Sequence, residues 1–183
     1  VPSRPLRHGG FDFVASFFLH AGFWHLLSNT YFLVAFGTGV EDVLRPGRFL
    51  LLVALSAFAG KLLYVALQHG SSVPSVGASG GISGILAYWA LAFPHARVRL
   101  FWLVWMRPVT YTFTARMALG LWVVLQFVGA ANQWAGFSGV NHLAHLGGAA
   151  VGLAFWYFGP DGPRPAAVKG DTIRLSTPLR WED

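Results

Sequence analysis

Long apolar runs alternate with short polar segments along most of this chain. Several of these runs approach the roughly 20 residues that a helix needs to cross a bilayer. Only 11% of the residues are charged, whereas soluble domains carry about 25%. We therefore predict an all-α polytopic membrane protein with five spans, at about residues 13–36, 49–67, 79–93, 112–131 and 142–158.

The basic residues of the connecting segments predict the orientation of these spans. Arginines occur in segments 41–48 and 95–99 and in the tail, while loops 68–76 and 131–140 contain no lysine or arginine. By the positive-inside rule, the arginine-bearing side and the C-terminus face the cytoplasm. Flanking arginines account for the net charge of +6, so we expect a lipid bilayer and no nucleic acid as partner. The expected location is a bacterial inner membrane, with an organellar membrane as the alternative.

Three parts of the chain are expected to differ in character. Residues 1–12 are predicted to form an outer loop or juxtamembrane segment, residues 13–158 the transmembrane domain, and residues 159–183 a mobile cytoplasmic tail. The apolar stretch 100–106 is too short to cross a bilayer, and Trp102 and Trp105 favour a position at the membrane interface. Lys61 interrupts the second span. We expect it to snorkel or to face water inside the bundle, and a transport or lipid-headgroup role is the alternative.

The stretch 76–84, VGASGGISG, places Ser79 between glycines at the start of the third span. Glycine lets a substrate backbone come close and frees a local N–H to point at it. We therefore consider Ser79 a candidate nucleophile whose surroundings are shaped by Gly77 and Gly80. The alternative is that these small residues serve only helix packing.

A candidate general base lies in the last span. His145, Gly148 and Gly152 share one helical face, and the third span has a similar face of small residues that includes Ser79. If the two faces meet, the Ser79 hydroxyl lies opposite the His145 imidazole, which is a nucleophile with its base. The rival base, His142, is expected to face a loop or solvent. No carboxylate except Asp12 is predicted on the outer side, so we favour a Ser–His dyad.

Further polar residues are predicted at the same membrane depth. His25 and Asn29 are spaced i, i+4, so their N–H groups could donate to an oxyanion together with the Ser79 backbone N–H. His20, in the same predicted span, is expected to tie the helix end to a neighbouring loop. The alternative for all three is hydrogen bonding between helices. We expect no cofactor and no metal, since the chain lacks cysteine and an H-E-x-x-H motif.

Three motifs follow one another along the chain: His20-x4-His25-x3-Asn29, then Gly77-Ala78-Ser79-Gly80, then His145-Leu-Gly-Gly148-x3-Gly152. In this order and spacing they resemble the rhomboid family of intramembrane serine proteases over about residues 13–158. The resemblance implies a rhomboid-type helical bundle, with Ser79 as nucleophile and His145 as base. It also implies an oxyanion site formed by His25 and Asn29 and supported by His20.

The chain departs from the family pattern in two respects. The family core has six spans, so a count of five suggests a fragment that lacks the first span and the loop after it. Some relatives carry a larger aromatic residue under the catalytic histidine, where this chain has Ser83.

The predicted function is that of an intramembrane serine endopeptidase. It would cleave single-pass transmembrane proteins in or near their span through an acyl-enzyme, at a site that opens to the non-cytoplasmic side. One alternative is a catalytically weak or inactive rhomboid-fold protein that binds membrane clients. A small transporter is disfavoured, because the sequence shows no internal repeat.

Overall fold

Helices form most of the structure, a computed structural model that describes residues 1, 3–4, 7–105 and 107–159. The tail that was predicted to be mobile lies outside the described residues from 160 onward. The helices are α1 Phe11–Phe18, α2 Phe23–Leu67, α3 Ser79–Ala92, α4 Ala115–Trp134 and α5 His142–Phe158, with a 3-10 segment Arg7–Gly10 before α1. Residues 1–12, which were predicted to form an outer loop or juxtamembrane segment, include this 3-10 segment and the first two residues of α1.

The first two predicted spans belong to one long element, α2, which is interrupted at a single residue. Arg45 has a φ of 68° and is followed by Pro46. Proline disfavours the helical conformation of the residue before it, which explains the break. Gly37 lies close to the Phe49 ring, although these residues would be about 18 Å apart along a straight helix. The arms 23–44 and 46–67 therefore bend toward each other.

The N-terminal end of the first predicted span differs from the prediction. α1 ends at Phe18, and the chain is extended at Leu19, so the long helix starts only at Phe23. His20 was expected to share a helix with His25 and Asn29. It lies instead in the connection between α1 and α2.

Helix α3 is the centre of the bundle, and eleven of its 14 residues are buried. It can be so enclosed because its neighbours approach it at glycines. A Cβ on Gly148 would overlap the Gly80 carbonyl, and a Cβ on Gly152 would overlap the Gly84 carbonyl. A side chain at Gly60 of α2 would likewise overlap the Ala144 carbonyl of α5. Helices α2, α3 and α5 therefore pack at backbone-to-backbone distance, as small residues permit in membrane helices.

The outward surface is apolar, as a bilayer requires. Large hydrophobic side chains such as Phe23, Leu50, Phe58, Val124 and Phe127 are more than half exposed. By length and composition, α2 and α4 are the helices of the described chain that could cross a membrane, and α3 is a shorter apolar helix.

A β-hairpin joins α3 to α4, which the sequence analysis did not foresee. β1 Arg97–Val104 pairs antiparallel with β2 Arg107–Thr114, from Arg97 opposite Thr114 to Val104 opposite Arg107. Residues 100–104 of the predicted interface stretch thus belong to β1, and the predicted fourth span begins at Ala115 instead of residue 112. Thr114 sets this start because its hydroxyl accepts the Met117 N–H at 3.3 Å.

Lys61 ties α1 to the bundle and does not reach the surface. Its side chain is buried, and its ammonium donates to the Phe13 carbonyl and, at 2.6 Å, to the Ser16 hydroxyl. The Ser16 carbonyl in turn accepts the Gly77 N–H at 2.8 Å. One buried lysine therefore positions both α1 and the loop that leads to Ser79.

Replacing Lys61 with methionine should loosen α1. The change removes the ammonium that donates to the Phe13 carbonyl and the Ser16 hydroxyl, which we expect to lower stability by about 1–3 kcal/mol. Thermal unfolding in detergent, together with proteolysis in the connection 19–22, measures the effect. Arg48→Met removes an exposed positive charge and is the matched control. Equal unfolding temperatures for the two variants would contradict this role of Lys61.

Candidate active site

Ser79 and His145 come together at the beginnings of two helices. Ser79 is the first residue of α3, and its Oγ lies 2.9 Å from Nε2 of His145 in the first turns of α5. The glycine contacts described above bring these helix ends within hydrogen-bond distance. Gly80 contributes its carbonyl to that packing, whereas a Cβ at Gly80 itself would make only ordinary contacts.

The other nitrogen of His145 faces an amide that the sequence analysis missed. Nδ1 lies 2.9 Å from Oε1 of Gln126, a buried residue of α4. An amide oxygen only accepts hydrogen bonds, so Nδ1 carries the proton. Nε2 is then the nitrogen that accepts the Ser79 hydroxyl. The sequence signal was a lone amide in an otherwise apolar run, LWVVLQFVG, which a search for carboxylates passes over.

His142, which was expected to face a loop or solvent, contacts both the loop before α5 and helix α4. Its Nδ1 also lies 2.9 Å from Oε1 of Gln126, and its Nε2 lies 3.2 Å from the Ser138 hydroxyl. The ring packs on α4 so closely that a Cβ on Gly129 would overlap it. His142 therefore shares the acceptor of His145 and does not contact Ser79 in any described hydrogen bond.

His25 and Asn29 present hydrogen-bond donors to the cavity that contains Ser79. The Ala21 N–H donates to Nδ1 of His25 at 3.3 Å, so the proton of the neutral imidazole lies on Nε2. Nδ2 of Asn29 is buried and has no partner among the described residues. Such unpaired buried donors are costly, and they are available for an incoming acceptor.

Gly77 is the glycine on which this side of the site depends. Its φ is 108°, and a Cβ there would lie 2.8 Å from two atoms of the His25 ring and 3.4 Å from Nδ2 of Asn29. A larger residue would therefore be strained and would displace both donors.

His20 supports His25 from the α1–α2 connection. Its Nδ1 lies 3.2 Å from the Phe18 carbonyl, and its ring meets that of His25 edge-on, with 5.1 Å between centroids. The residue thus ties the end of α1 to the first turn of α2, although from a loop and not from the helix.

Ser83 contacts Ser79, and Trp122 lies near His145. The Ser83 hydroxyl donates to the Ser79 carbonyl at 2.7 Å, so it completes the first turn of α3. The aromatic ring near His145 comes instead from α4, where Trp122 lies 6.4 Å from the imidazole between centroids.

A cavity of about 620 Å³ joins these groups. It is bordered by α2, α3, α4 and α5 and by the three connections α1–α2, α2–α3 and α4–α5, and its lining includes His25, Asn29, Gly77, Ser79, Trp122, Gln126 and His145. Within the described ranges, no three His, Asp or Glu side chains cluster as metal ligands would. The cavity is large enough for several residues of an extended peptide.

Comparison with known proteins assigns the chain to a family. The sequence model of the Rhomboid domain matches residues 7–160. The chain is 34% identical to rhomboid protein 1, mitochondrial, of Saccharomyces cerevisiae, over 92% of its own length and 46% of that protein. It is 35% identical to the presenilin-associated rhomboid-like protein, mitochondrial, of Rattus norvegicus, over 78% of the chain and 36% of that protein.

A plant protein is similarly related. Rhomboid-like protein 11, chloroplastic, of Arabidopsis thaliana is 35% identical over 78% of the chain and 50% of its own length. The chain thus spans half or less of the length of these relatives. No solved structure gives a significant match. The matched domain covers nearly all of the described helices, and the chain is an integral membrane protein that belongs to the rhomboid family.

Proposed function

We propose that this protein is an intramembrane serine endopeptidase that uses Ser79 as nucleophile and His145 as general base. The observation that carries the proposal is the 2.9 Å contact between Ser79 Oγ and His145 Nε2, with the opposite ring nitrogen 2.9 Å from the carbonyl oxygen of Gln126. Members of the rhomboid family are generally intramembrane serine proteases, which supports the same reaction class.

The reaction begins with a proton transfer. His145 Nε2 takes the proton of the Ser79 hydroxyl as Oγ attacks the carbonyl carbon of the scissile peptide bond. The tetrahedral intermediate collapses to an acyl-enzyme when the imidazolium gives its proton to the leaving amine. Water then repeats the sequence on the ester, which releases the acid product and restores Ser79.

The negative charge of the intermediate needs donors. The backbone N–H of Ser79 has no intrahelical acceptor because it begins α3, and the helix dipole favours an anion there. Nε2–H of His25 and Nδ2–H of Asn29 face the same cavity. We assign these three groups to the oxyanion, with His20 and Gly77 keeping the two side chains in place.

The substrates we propose are single-pass transmembrane proteins. A transmembrane helix hides its carbonyls in i→i−4 hydrogen bonds, so the segment to be cleaved has to unwind before it enters the cavity. The site opens on the non-cytoplasmic side in the orientation that the arginine distribution predicts. The names of these relatives place those proteins in mitochondria and a chloroplast, so an organellar membrane is a second candidate beside a bacterial inner membrane.

The proposal is tested with the purified chain in lipid vesicles. It is exposed to a serine-reactive fluorophosphonate and, separately, to a panel of transmembrane peptides with helix-weakening residues. We expect a covalent adduct on the tryptic peptide that contains Ser79 and cleavage within or beside the apolar segment. Peptide binding without adduct or cleavage would instead support an inactive rhomboid-fold protein that holds membrane clients.

Asn29→Leu should separate oxyanion stabilisation from folding. Leucine fills the same buried space but cannot donate, so we expect kcat to fall about 10²-fold with KM changed little. Thr30→Val, at a neighbouring exposed residue that does not line the cavity, serves as the control and should keep full activity. A rise in KM at constant kcat would mean that Asn29 binds the ground state and the transition state equally, which would contradict its role at the oxyanion.

A further inference from the structure

We propose that Gln126 is a positioning residue that holds His145 in the one tautomer able to activate Ser79. The inference rests on the proposed function, because it assigns a role in the same reaction. It replaces the dyad by a three-residue array in which the third member is an uncharged amide on a different helix, α4.

The need for such a residue follows from the chemistry of imidazole. A neutral histidine carries its proton on either Nδ1 or Nε2, and only the Nδ1–H form leaves Nε2 free to accept from Ser79. In the Nε2–H form the imidazole would donate toward Ser79, and no base would be present. An acceptor at Nδ1 therefore decides whether the base exists.

Gln126 supplies that acceptor, because its carbonyl oxygen faces both histidines of α5. The carbonyl oxygen of its amide lies 2.9 Å from Nδ1 of His145 and 2.9 Å from Nδ1 of His142. The oxygen has two lone pairs and can accept both N–H groups, whereas an amide nitrogen in the same position could accept neither. Nε2 of His142 lies 3.2 Å from the Ser138 hydroxyl, which can donate to it when Nδ1 of His142 carries the proton. In that arrangement the Gln126 oxygen accepts two N–H groups, one from each histidine.

A second amide on the same face of α4 provides a matched control. Gln133 lies seven residues after Gln126 and is also buried. It donates to the Asn141 side chain at 3.2 Å and accepts the Leu143 N–H at 3.2 Å, so it ties α4 to the start of α5 without a hydrogen bond to His145. Gln126 and Gln133 therefore share the helix-joining role and differ in the contact to the base.

The first experiment measures fluorophosphonate inactivation, with its maximal rate and its half-saturating concentration determined separately. Gln126→Met keeps the size of the side chain but has no carbonyl oxygen. We expect the maximal rate to fall roughly 10- to 100-fold, since the lost hydrogen bond and the lost tautomer both act on the base, with half-saturation unchanged. Gln126→Glu keeps an acceptor oxygen and should recover most of the rate, and Gln133→Met should stay within about threefold of wild type.

A different pattern would overturn the inference. If Gln126→Met reacts at the wild-type rate, or if Gln133→Met is impaired as strongly and Gln126→Glu recovers nothing, Gln126 only joins helices. Ser79-dependent labelling of the wild type in the same assay would leave the proposed function intact in either case.

The second experiment does not need an active enzyme. ¹⁵N-histidine spectra of Ser79→Ala, with His145 assigned from the Ser79→Ala/His145→Gln double variant, distinguish the two neutral tautomers. We expect the Nδ1–H form at His145, and a mixture after Gln126→Met. An Nε2–H form with Gln126 intact would overturn the inference, even if Gln126→Met fails to fold. If the spectra show the Nδ1–H form but the fluorophosphonate never labels the wild-type chain, the role of Gln126 in setting the tautomer stands and the proposed function is contradicted.

Discussion

Ser79→Ala is expected to lower the rate of substrate cleavage by at least about 10³-fold, because the change removes the atom that forms the acyl-enzyme. His145→Ala should cause a loss of similar size, since the hydroxyl then lacks its base, and the two losses should not add in the double variant. Cleavage of a transmembrane peptide in lipid vesicles measures both variants. Fluorophosphonate labelling should disappear in Ser79→Ala and weaken in His145→Ala.

Ser83→Ala is the matched control for this prediction. Ser83 lies one turn further along α3 and is buried, and its hydroxyl contacts the Ser79 carbonyl and not the His145 ring. We expect Ser83→Ala to keep labelling and cleavage within a few-fold of wild type. Labelling that survives in Ser79→Ala but is lost in Ser83→Ala would show that Ser83, and not Ser79, is the nucleophile.

The approach of α3 and α5 could be anticipated from sequence because a steric rule governs it. Small residues at helical spacing predict a face where two backbones can touch, and Gly148 and Gly152 meet the carbonyls of Gly80 and Gly84. The position of His145 opposite Ser79 follows from that contact. The contact between these helices could be predicted from sequence because the residues that form the pattern are the same residues that pack.

Gln126 was missed because sequence contains no measure of tertiary partners. An amide in an apolar helix is predicted to be buried, but the pattern does not reveal that two histidines from α5 converge on its oxygen. A triad partner is also expected to be a charged carboxylate, whereas in the proposed arrangement an uncharged acceptor serves. His20 was misplaced for a local reason, since an extended residue at Leu19 ends α1 within a run that reads as continuous.

The β-hairpin had a sequence signal that the interpretation did not use. Residues 109–114, VTYTFT, alternate apolar and polar side chains with period two, as a strand does, and β-branched threonine is common in strands. Because apolar residues flank this segment, the sequence was interpreted as an interface stretch followed by a fourth span. A competition between two periodicities in one window is resolved only by strand pairing, which is a tertiary contact.

Gly148→Ala should have the second large effect, because it opens the packing that sets the dyad. The new Cβ would overlap the Gly80 carbonyl, and backbone at that position cannot give way as a flexible side chain can. We expect a loss of about 1–3 kcal/mol of stability from overpacking. Since Gly148 lies one turn from His145, a shift of about 1 Å in α5 should also slow fluorophosphonate inactivation roughly 10²-fold.

Gly120→Ala on α4 is the control that separates this effect from helix propensity. Nothing lies within 4 Å of a Cβ at Gly120, so the substitution gains helix propensity without a clash. It should leave activity unchanged and raise the unfolding temperature slightly, since alanine is about 1 kcal/mol more favourable than glycine in a helix interior. Gly148→Ala has the same gain in helix propensity. It should nevertheless unfold at a lower temperature than wild type and react more slowly with the fluorophosphonate. If both variants behave alike in thermal unfolding and in labelling, the Gly80–Gly148 contact does not set the distance between Ser79 and His145.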